Sequence, residues 1–482
     1  MECAACPSGE PGPTNYLGQS RGLCRECGAG VRVEVRYVAR DNRVYLQRLC
    51  PTHGKSEALV AGDLGWYLEA MSRPVAPCPP PRVHTSKRAA CPDACGPCLF
   101  HGQRCHLPVI PITNACNLRC PICFGFNRPS PYFMPVEEFS KRLDFLLETT
   151  GGVDLINITG GEPTLHPELP AILRAAKRPG IGRITLNTNG IVLGRQPELT
   201  RTLADLGIYV VLSLDTLDGE RSKRLHGADI VEDKQRALAA LEELAIATTI
   251  LHVLVPGTNE DEMATWLELL AKKSFVRSLT IQTMTYTGQG GAHFEPRRHV
   301  PVDEVERMIE TASRGPITAA DFMPLPTAHP LCYGVSYLFA DEHLGQATLA
   351  PMTRLLDKAD IAAMSRDGYL LHPGDVSESA IKTALDRVWS EGTDPDLLRI
   401  LKNMLTAVYP PGPPLDIYAR QRAGEKFVKT IFVHAHMDED TYEIGRAMRC
   451  PDQVVADADN LVGACNFNLM YRMPDPLFGA GR

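Results

Sequence analysis

Cys116, Cys120 and Cys123 form a C-x3-C-x2-C run, the residues of this chain whose type and spacing point most directly to chemistry. Three thiolates at this spacing can hold three irons of a [4Fe–4S] cluster and leave the fourth iron open to a small molecule. Closed electron-transfer clusters take four cysteines. The alternative interpretations are a zinc knuckle or a chance cluster of cysteines.

The size and composition of the chain limit the protein class. It has 482 residues, 44% hydrophobic and 22% charged, as is typical of a globular protein of two to four domains. A net charge of −7 provides no general attraction to nucleic acid, so we expect no nucleic-acid partner. We find no 18-residue apolar run and no signal-peptide pattern, and therefore expect no transmembrane segment and a cytoplasmic location. Sixteen cysteines in a reducing compartment indicate metal binding, and thirteen of them lie before residue 124.

Residues 1–75 read as a metal-binding ribbon. Cys24 and Cys27 precede two strand-like segments at 31–38 and 43–49, and Cys50 and His53 follow them. Two such pairs joined by a hairpin can bind one zinc or one iron tetrahedrally. The ligand role of His53 stays open, because it precedes a glycine and could simply form a turn. Cys3 or Cys6 could supply the fourth ligand instead.

Residues 76–107 form a proline-rich connector followed by a cysteine-rich segment. Its four cysteines, within fifteen residues, could close around a complete auxiliary [4Fe–4S] cluster: Cys91, Cys95, Cys98 and Cys105. The alternative is a second structural zinc, for which Cys95 and Cys98 have a suitable spacing. Cys78 has no evident partner.

Residues 108–290 alternate between strand and helix patterns. The sequence predicts six strands, at 108–113, 153–158, 183–187, 208–214, 248–255 and 278–283, with helices near 135–148 and 231–246 among the segments between them. Six β/α units imply a parallel sheet curved into a full or partial barrel. In such folds the chemistry gathers at the carboxyl ends of the strands, where the cysteine run follows the first strand.

Polar and glycine residues follow the other strands. Gly160, Gly161 and Glu162 come after the second strand, where glycines allow backbone carbonyls to approach an ammonium group and Glu162 adds a counter-charge. Ser213 and Asp215 share one side of the fourth strand and could bind a ribose, although both residue types also cap helices. Other positions predicted to face a cofactor or substrate are Asn187, His252 and Gln282.

The cysteine run and the glycine turn about forty residues later resemble those of the radical S-adenosylmethionine (SAM) superfamily. The resemblance implies that the amino and carboxylate groups of SAM chelate the open iron. One electron then cleaves the sulfonium to a 5′-deoxyadenosyl radical. Ile122 departs from the aromatic residue common at that position, and Phe124 could take its place.

The order of all the cysteine motifs resembles a narrower radical-SAM family, which includes archaeal tetraether lipid synthase and proteins described as dihydropterin methyltransferases. The match runs from the ribbon to residue 472 and implies auxiliary clusters and a rubredoxin-like metal site. We therefore expect an α/β protein: a partial (β/α)6 radical-SAM barrel with an N-terminal metal-binding ribbon and an α+β C-terminal region at 291–482. The last three cysteines, Cys332, Cys450 and Cys465, would be ligands of one more cluster. The alternative is that they are buried apolar cysteines.

The predicted activity is hydrogen abstraction from an unreactive C–H bond followed by carbon–carbon bond formation. By resemblance this couples lipid alkyl chains or, alternatively, methylates a dihydropterin or other small heterocycle. A specialised metabolite or peptide is a further substrate class. The expected cofactors are the three-cysteine [4Fe–4S] cluster, SAM, one or two auxiliary [4Fe–4S] clusters, and one zinc or iron in the ribbon. A ferredoxin or flavodoxin would supply electrons. A non-catalytic zinc-ribbon protein and an electron-transfer ferredoxin are the competing classes.

Overall fold

The computed structural model describes residues 15–73, 77–83, 91–93, 95–125, 131–340, 349–366, 368–372, 374–392 and 395–472. The prediction for Cys3 and Cys6 lies outside these residues. Within them the chain forms a small antiparallel sheet followed by a large, mainly parallel sheet with helices on its outer side.

The small sheet is the predicted ribbon. Its strands lie in the order β1-β2-β3-β4, all antiparallel: β1 (Asn15–Cys24), β2 (Gly28–Arg40), β3 (Arg43–Cys50) and β4 (Gly54–Ala61). Asp41 and Asn42 both have positive φ angles, 52° and 58°, as a tight turn between twisted strands requires. The short helix α1 (Leu64–Ser72) follows and is capped by the Asp63 carboxylate.

All six predicted barrel strands are confirmed, with boundaries shifted by one or two residues. They are β5 (Leu107–Pro111), β6 (Val153–Thr159), β7 (Ile181–Thr188), β8 (Tyr209–Ser213), β9 (Thr248–Leu254) and β10 (Val276–Thr283). Each pairs in parallel with the next. The carboxyl ends of all six strands therefore meet at one rim.

Helices between and after these strands cover the outer face of the sheet. They are α2 (Val136–Thr150), α3 (Leu169–Ala176), α4 (Ile191–Arg195), α5 (Pro197–Asp205), α6 (Gly219–His226), α7 (Val231–Glu243), α8 (Met263–Lys272), α9 (Gly288–His293) and α10 (Val302–Ser313). In α2 the apolar face is buried, since Phe139, Leu143 and Leu146 are fully buried against the sheet. In α7 Leu241 is buried, whereas Leu238 and Leu244 are half-buried.

The C-terminal region extends the barrel sheet at both edges. Its strands are β11 (Met323–Pro324), β12 (Tyr333–Phe339), β13 (Ala350–Pro351), β14 (Val428–His434), β15 (Asp452–Asp457) and β16 (Asn460–Gly463). β14 pairs in parallel with β10, and β15 pairs in parallel with β5. The described sheet therefore contains eight adjacent parallel strands, not six. The predicted boundary at 290 separates segments that share one sheet.

The remaining helices belong to the C-terminal region. They are α11 (Lys358–Met364), α12 (Asp375–Glu391), α13 (Pro395–Val408), α14 (Ile417–Gly424), α15 (Ile444–Ala447) and α16 (Ala464–Asn466). The apolar stripe of α13, with Leu397, Leu401 and Met404 buried, packs in a second hydrophobic core with β12 and α12.

Alternate side chains of the parallel strands face a common interior. Six that line the same cavity, three from β6 and three from β10, are Leu155, Asn157, Thr159, Ser278, Thr280 and Gln282. The edge strands β14 and β15 also contribute to this cavity, through His434 and Val454. The opening between the two edges is bridged by side chains, because the Tyr333 hydroxyl donates to Asp452 Oδ2 at 2.6 Å. The sheet is thus an incomplete barrel around one cavity.

Buried polar contacts attach the ribbon to the barrel. Trp66 Nε1 donates to Glu306 Oε2 at 2.9 Å, and the Gly62 amide donates to Asp303 Oδ1 at 3.0 Å. Arg48 pairs with Asp440 at 2.9 Å. Burial raises the pKa of Glu306 to about 8 and so favours the protonated acid, although the Trp66 hydrogen bond acts in the opposite direction.

We predict that Glu306→Gln removes a pH-dependent loss of stability. Between pH 4.5 and 8 the native carboxyl keeps a proton that the unfolded chain releases. Stability therefore falls with rising pH, by at most about 1.4 kcal/mol per pH unit for one group. The thermal midpoint of the variant minus that of the parent should rise with pH across this window. A flat difference would contradict the assignment. Glu310→Gln, an exposed glutamate on the same helix, is the control and should give a flat difference.

Candidate active site and metal centres

The cysteine loop and the glycine turn meet backbone to backbone at the carboxyl rim of the barrel. The Gly161 amide donates to the Thr113 carbonyl at 2.8 Å, and the Glu162 amide donates to the Ala115 carbonyl at 2.7 Å. A Cβ atom on Gly160 would lie 2.3 Å from the Thr113 oxygen, and one on Gly161 would lie 2.3 Å from the Ala115 oxygen. Only glycine fits this approach, which fixes the start of the cysteine loop.

Cys116, Cys120 and Cys123, called here the mouth set, are all half-buried at this rim. Burial raises the pKa of the Cys116 thiol to about 11, and Glu162 and Cys123 add to the effect. Burial also raises the pKa of Cys120, with Cys123 and Cys116 as the next contributors. Each thiol opposes ionisation of another, so a cationic group between them would stabilise the thiolates, and the mouth set fits the cysteine ligands of an iron–sulfur cluster.

Glu162 is placed beside the mouth set, but its carboxylate already has protein partners. Oε1 accepts from the Thr164 and Thr188 hydroxyls at 2.6 and 2.7 Å, and Oε2 accepts from the Asn189 amide at 2.7 Å. The side chain is almost fully buried. Glu162 therefore ties the turn after β6 to the turn after β7. Its role as the counter-charge for an ammonium group stays a prediction.

Asp215 is held by protein partners, and its ribose contact stays a prediction. Its Oδ2 contacts His226 Nε2 at 2.9 Å, and its Oδ1 accepts from the Val253 amide at 2.7 Å. Burial opposes ionisation, but the His226 hydrogen bond and charge hold the pKa of Asp215 below its usual range. The carboxylate links the ends of β8 and β9, and it is not the cap of α6, which is Asp218. Ser213 stays half-buried on the same side of the strand.

Of the other polar positions, Asn187 and Gln282 line the barrel cavity as predicted. The prediction for His252 is wrong. Thr249 and Leu251 are the β9 residues that face the cavity, so His252 points to the outer side. There its ring packs 5.3 Å from the ring of Trp266, and burial lowers its pKa to about 4.

Lys234 is a charged residue at the rim that the sequence analysis missed. It is 1% exposed, and its ammonium donates to the Asn189 carbonyl at 2.6 Å and to the Ser213 carbonyl. Its charge favours the thiolate form of Cys120. The sequence does contain a signal for this residue, because the lysine lies in the apolar stripe of α7 that also contains Ala237 and Leu241.

The four predicted ribbon ligands converge on one point. The Cys27 and Cys50 sulfurs are 3.7 Å apart, and His53 Nδ1 lies 3.5, 3.3 and 3.6 Å from the sulfurs of Cys24, Cys27 and Cys50. Zn–S bonds of about 2.3 Å and Zn–N bonds of about 2.0 Å give tetrahedral edges of about 3.5–3.8 Å. The ribbon therefore fits one tetrahedral metal ion, with His53 as the fourth ligand.

The four cysteines at 91–105, predicted as one ligand set, do not all lie together. Cys91, Cys95 and Cys98, called here the outer set, are neighbours: burial raises the pKa of Cys91 to about 12, with Cys95 and Cys98 adding to the effect. Cys105 instead packs in the barrel core, where its thiol faces Asp452 and the Gln453 backbone. The strand that begins two residues later pulls Cys105 into that core, so the four-ligand prediction needs correction.

Cys332, Cys450 and Cys465, called here the inner set, come together although they are far apart in the sequence. Burial raises the pKa of Cys450, and Asp452, Cys465 and Cys332 raise it further. Arg446 donates to the Cys332 sulfur from Nε and Nη2 at 3.4 and 3.3 Å. His436 Nδ1 lies 3.6 Å from the Cys465 sulfur. This arrangement is compatible with the predicted further cluster, and His436 is the nearest non-cysteine ligand type.

We predict that Gly161→Ala separates the turn from the cysteine loop. The added methyl group would displace the Ala115 carbonyl and break the Glu162 amide contact. SAM affinity, measured by equilibrium binding to the reconstituted protein, should fall about tenfold or more, the loss of about 1.4 kcal/mol or more. The control is Gly374→Ala, where a Cβ meets open space at ordinary φ. Unchanged affinity in Gly161→Ala would contradict the close-approach argument.

Comparisons with known proteins agree with this arrangement. The radical SAM superfamily profile matches residues 110–270, and the profile described as the HMPTM N-terminal zinc ribbon domain matches residues 16–62. The 7,8-dihydro-6-hydroxymethylpterin dimethyltransferase of Methanocaldococcus jannaschii is 23% identical over 479 residues, covering 92% of each chain.

Other similarities cover less of this chain. The GTP 3′,8-cyclase of Chlorobaculum tepidum is 38% identical over 178 residues, which are 36% of this chain and 52% of that protein. The crystal structure of Streptococcus suis SuiB bound to precursor peptide SuiA is 20% identical with a TM-score of 0.38, covering 44% of this chain and 46% of that one.

No helix among the described segments is long and apolar enough to cross a membrane. On its cysteine loop, its barrel sheet and the matched profile, this chain contains a radical SAM domain at residues 110–270.

Proposed function

We propose that this enzyme forms a carbon–carbon bond at an unactivated C–H position on the alkyl chain of a lipid. The mouth set would hold the three-cysteine [4Fe–4S] cluster, and SAM bound there supplies a 5′-deoxyadenosyl radical that abstracts hydrogen. The protein residues bind and orient the substrate and exclude water from the radical.

The observation that carries this proposal is the apolar lining of the space below the mouth set. The barrel cavity has a volume of about 270 Å³ and shares lining residues with a second cavity of about 110 Å³. The second cavity is lined largely by apolar side chains, including Met352, Ile381 and Met404. An alkyl chain can extend through two adjoining apolar spaces, whereas a single small heterocycle needs only one.

Residues at the barrel mouth would position the reacting carbon. Phe124 lines the cavity directly after the mouth set, and the Arg472 guanidinium lies 5.5 Å from the centre of its ring. Asn187 and Gln282 place amide groups on the cavity wall. The inner set adjoins this wall through His434 and His436, so an auxiliary cluster there could exchange an electron with a substrate intermediate.

Methylation of a dihydropterin is the second candidate. The full-length similarity to a pterin dimethyltransferase supports it, although only 23% of the residues are identical. The amide side chains of Asn157, Asn187 and Gln282 could pair with a heterocycle in the upper part of the cavity. This candidate gives the second, apolar cavity no role.

Turnover by the anaerobically reconstituted enzyme tests the two candidates together. Dithionite and SAM are supplied with either a polar lipid extract or a dihydropterin, and mass spectrometry follows 5′-deoxyadenosine and substrate. We expect lipids to lose hydrogens as their chains couple. A pterin gaining methyl groups, with unchanged lipids, would overturn the lipid proposal in favour of the second candidate. Deoxyadenosine with neither product would overturn both substrate assignments.

We predict that Leu370→Trp blocks the passage between the two cavities. Leu370 lines both cavities and is only half-buried, so a larger side chain can enter the shared space. Lipid coupling should fall about tenfold or more, because a displaced chain loses its reactive alignment. Deoxyadenosine formation without substrate should stay unchanged. The control is Leu398→Trp, a half-buried leucine on α13 that lines neither cavity. Equal coupling by both variants would contradict a chain that spans both cavities.

A further inference from the structure

We propose that the surface turn at residues 98–100 is the docking site for a small acidic one-electron carrier protein. From there an electron passes inward through the outer set, Asn466 and the inner set to the mouth set. This inference rests on the proposed radical SAM chemistry, which consumes one electron for each SAM that is cleaved. It adds where the electron enters the protein and which residues carry it.

The turn presents two large apolar side chains to solvent. Leu99 is 81% exposed and Phe100 is 76% exposed, the two highest values among the large hydrophobic residues described. They follow Cys98 directly, and Cys98 is the partly exposed end of the outer set, whereas Cys95 is buried. Contiguous exposed apolar side chains mark protein interaction sites. A carrier bound here would sit directly beside the outer set.

A continuous series of contacts leads inward from this turn. Asn466 is buried and donates from Nδ2 to the Cys95 sulfur at 3.2 Å, and it is the chain neighbour of Cys465. His436 Nδ1 lies 3.6 Å from the Cys465 sulfur, and the His436 ring lies 6.1 Å from the ring of Phe124. Phe124 is bonded to Cys123 of the mouth set. The outer, inner and mouth sets are therefore linked by contacts through buried or half-buried side chains.

The charges around the turn favour an acidic partner. Arg449 is exposed and packs beside the turn, since a Cβ on Gly102 would lie 3.7 Å from its Cγ. Arg104 lies four residues after Phe100, and the nearby Asp93 is paired with Arg32 at 2.5 Å. The chain as a whole carries a net charge of −7, so this apolar turn with a basic border stands out from an acidic background. An acidic carrier with an apolar contact centre would be steered to it.

The electron balance of the route is simple. The reduced carrier would lose one electron. Iron–sulfur clusters held by the outer and inner sets would accept it and pass it on without net change. The cluster held by the mouth set would deliver it to SAM, whose C–S bond to the 5′-carbon would break to give methionine and the 5′-deoxyadenosyl radical. No proton transfer or further oxidant is required.

The double variant Leu99→Ser/Phe100→Ser tests the docking site without touching any cysteine. The probes are a purified flavodoxin and a purified two-cluster ferredoxin, each chemically reduced and supplied to the holoenzyme with SAM. We expect the carrier KM for deoxyadenosine formation to rise about tenfold or more, as for truncation of an interface hot spot. The carrier Kd should rise by the same factor. With dithionite, which needs no docking site, the rate should equal that of the parent.

Trp389→Ser is the matched control, because Trp389 is 67% exposed on α12, far along the chain from the cysteine sets. It should leave the carrier KM and Kd unchanged. Unchanged values in the double variant, or equal losses with the control, would overturn the docking site. Failure of either carrier to bind the parent enzyme would also overturn it. If the parent forms no deoxyadenosine even with dithionite, the proposed chemistry fails instead, and the Kd comparison alone decides the docking site.

Arg449→Glu tests the electrostatic part of the proposal separately. A reversed charge at the border of the turn should raise the carrier KM at low salt and reduce its dependence on ionic strength, because steering by exposed charges is screened by salt. The rate with dithionite should again equal that of the parent. If the carrier KM of Arg449→Glu equals that of the parent at every salt concentration, an acidic partner at this site is contradicted.

Discussion

The active site depends on one close approach of two backbones at the carboxyl rim of the barrel. Gly160 and Gly161 bring the turn after β6 against the first residues of the cysteine loop, where any side chain would overlap the Thr113 and Ala115 carbonyls. Two amide hydrogen bonds of 2.7–2.8 Å then hold the loop in place. Glu162 and Lys234 extend this scaffold to the ends of β7 and β8. The thiols of the mouth set are thus positioned by backbone contacts, which leaves their sulfurs available for metal.

The C-terminal region completes both the barrel and the wall of the active site. Because β14 joins β10 and β15 joins β5, the two edges of the open barrel are built from segments that follow the superfamily domain in the sequence. The inner set lies with these edges: Cys332 directly precedes β12, and Cys450 lies two residues before β15. The same segments line the cavity through Phe432, His434 and Val454. Metal sites, substrate space and barrel closure are therefore coupled in one region.

Much of the fold could be predicted from the sequence, because the local signals were strong. Regular strand and helix alternation defined the six central strands, and the paired cysteine turns defined the ribbon and its ligands. The edge strands could not be assigned to the barrel, because the sequence of a short strand does not indicate which strand it pairs with when that strand is more than a hundred residues away. The convergence of Cys332, Cys450 and Cys465 was expected from family resemblance alone, and only the folded chain brings them together.

Side-chain direction explains why the sequence misplaces His252. Its polar type predicts a cavity position, but alternation along β9 turns it outward, and a strand boundary alone does not reveal that phase. Asp215 and Glu162 have residue types suited to a ligand, and each also contacts neighbouring backbone and side-chain groups, which the sequence does not show. Cys105 has favourable spacing from Cys98, but the adjoining strand draws it into the core. The spacing of residues in a motif shows which chemistry their side chains could perform. The packing of the folded chain decides which of those side chains can reach a ligand.

The central claim is that the mouth set supports reductive cleavage of SAM, and one measurement tests it directly. Deoxyadenosine is quantified after anaerobic incubation of reconstituted Cys120→Ala with SAM and dithionite, beside the parent enzyme. The metal content of the ribbon serves as the check that the variant is folded. We expect the parent to form deoxyadenosine and the variant to form none. Continued deoxyadenosine formation by the folded variant would contradict the assignment of these three cysteines.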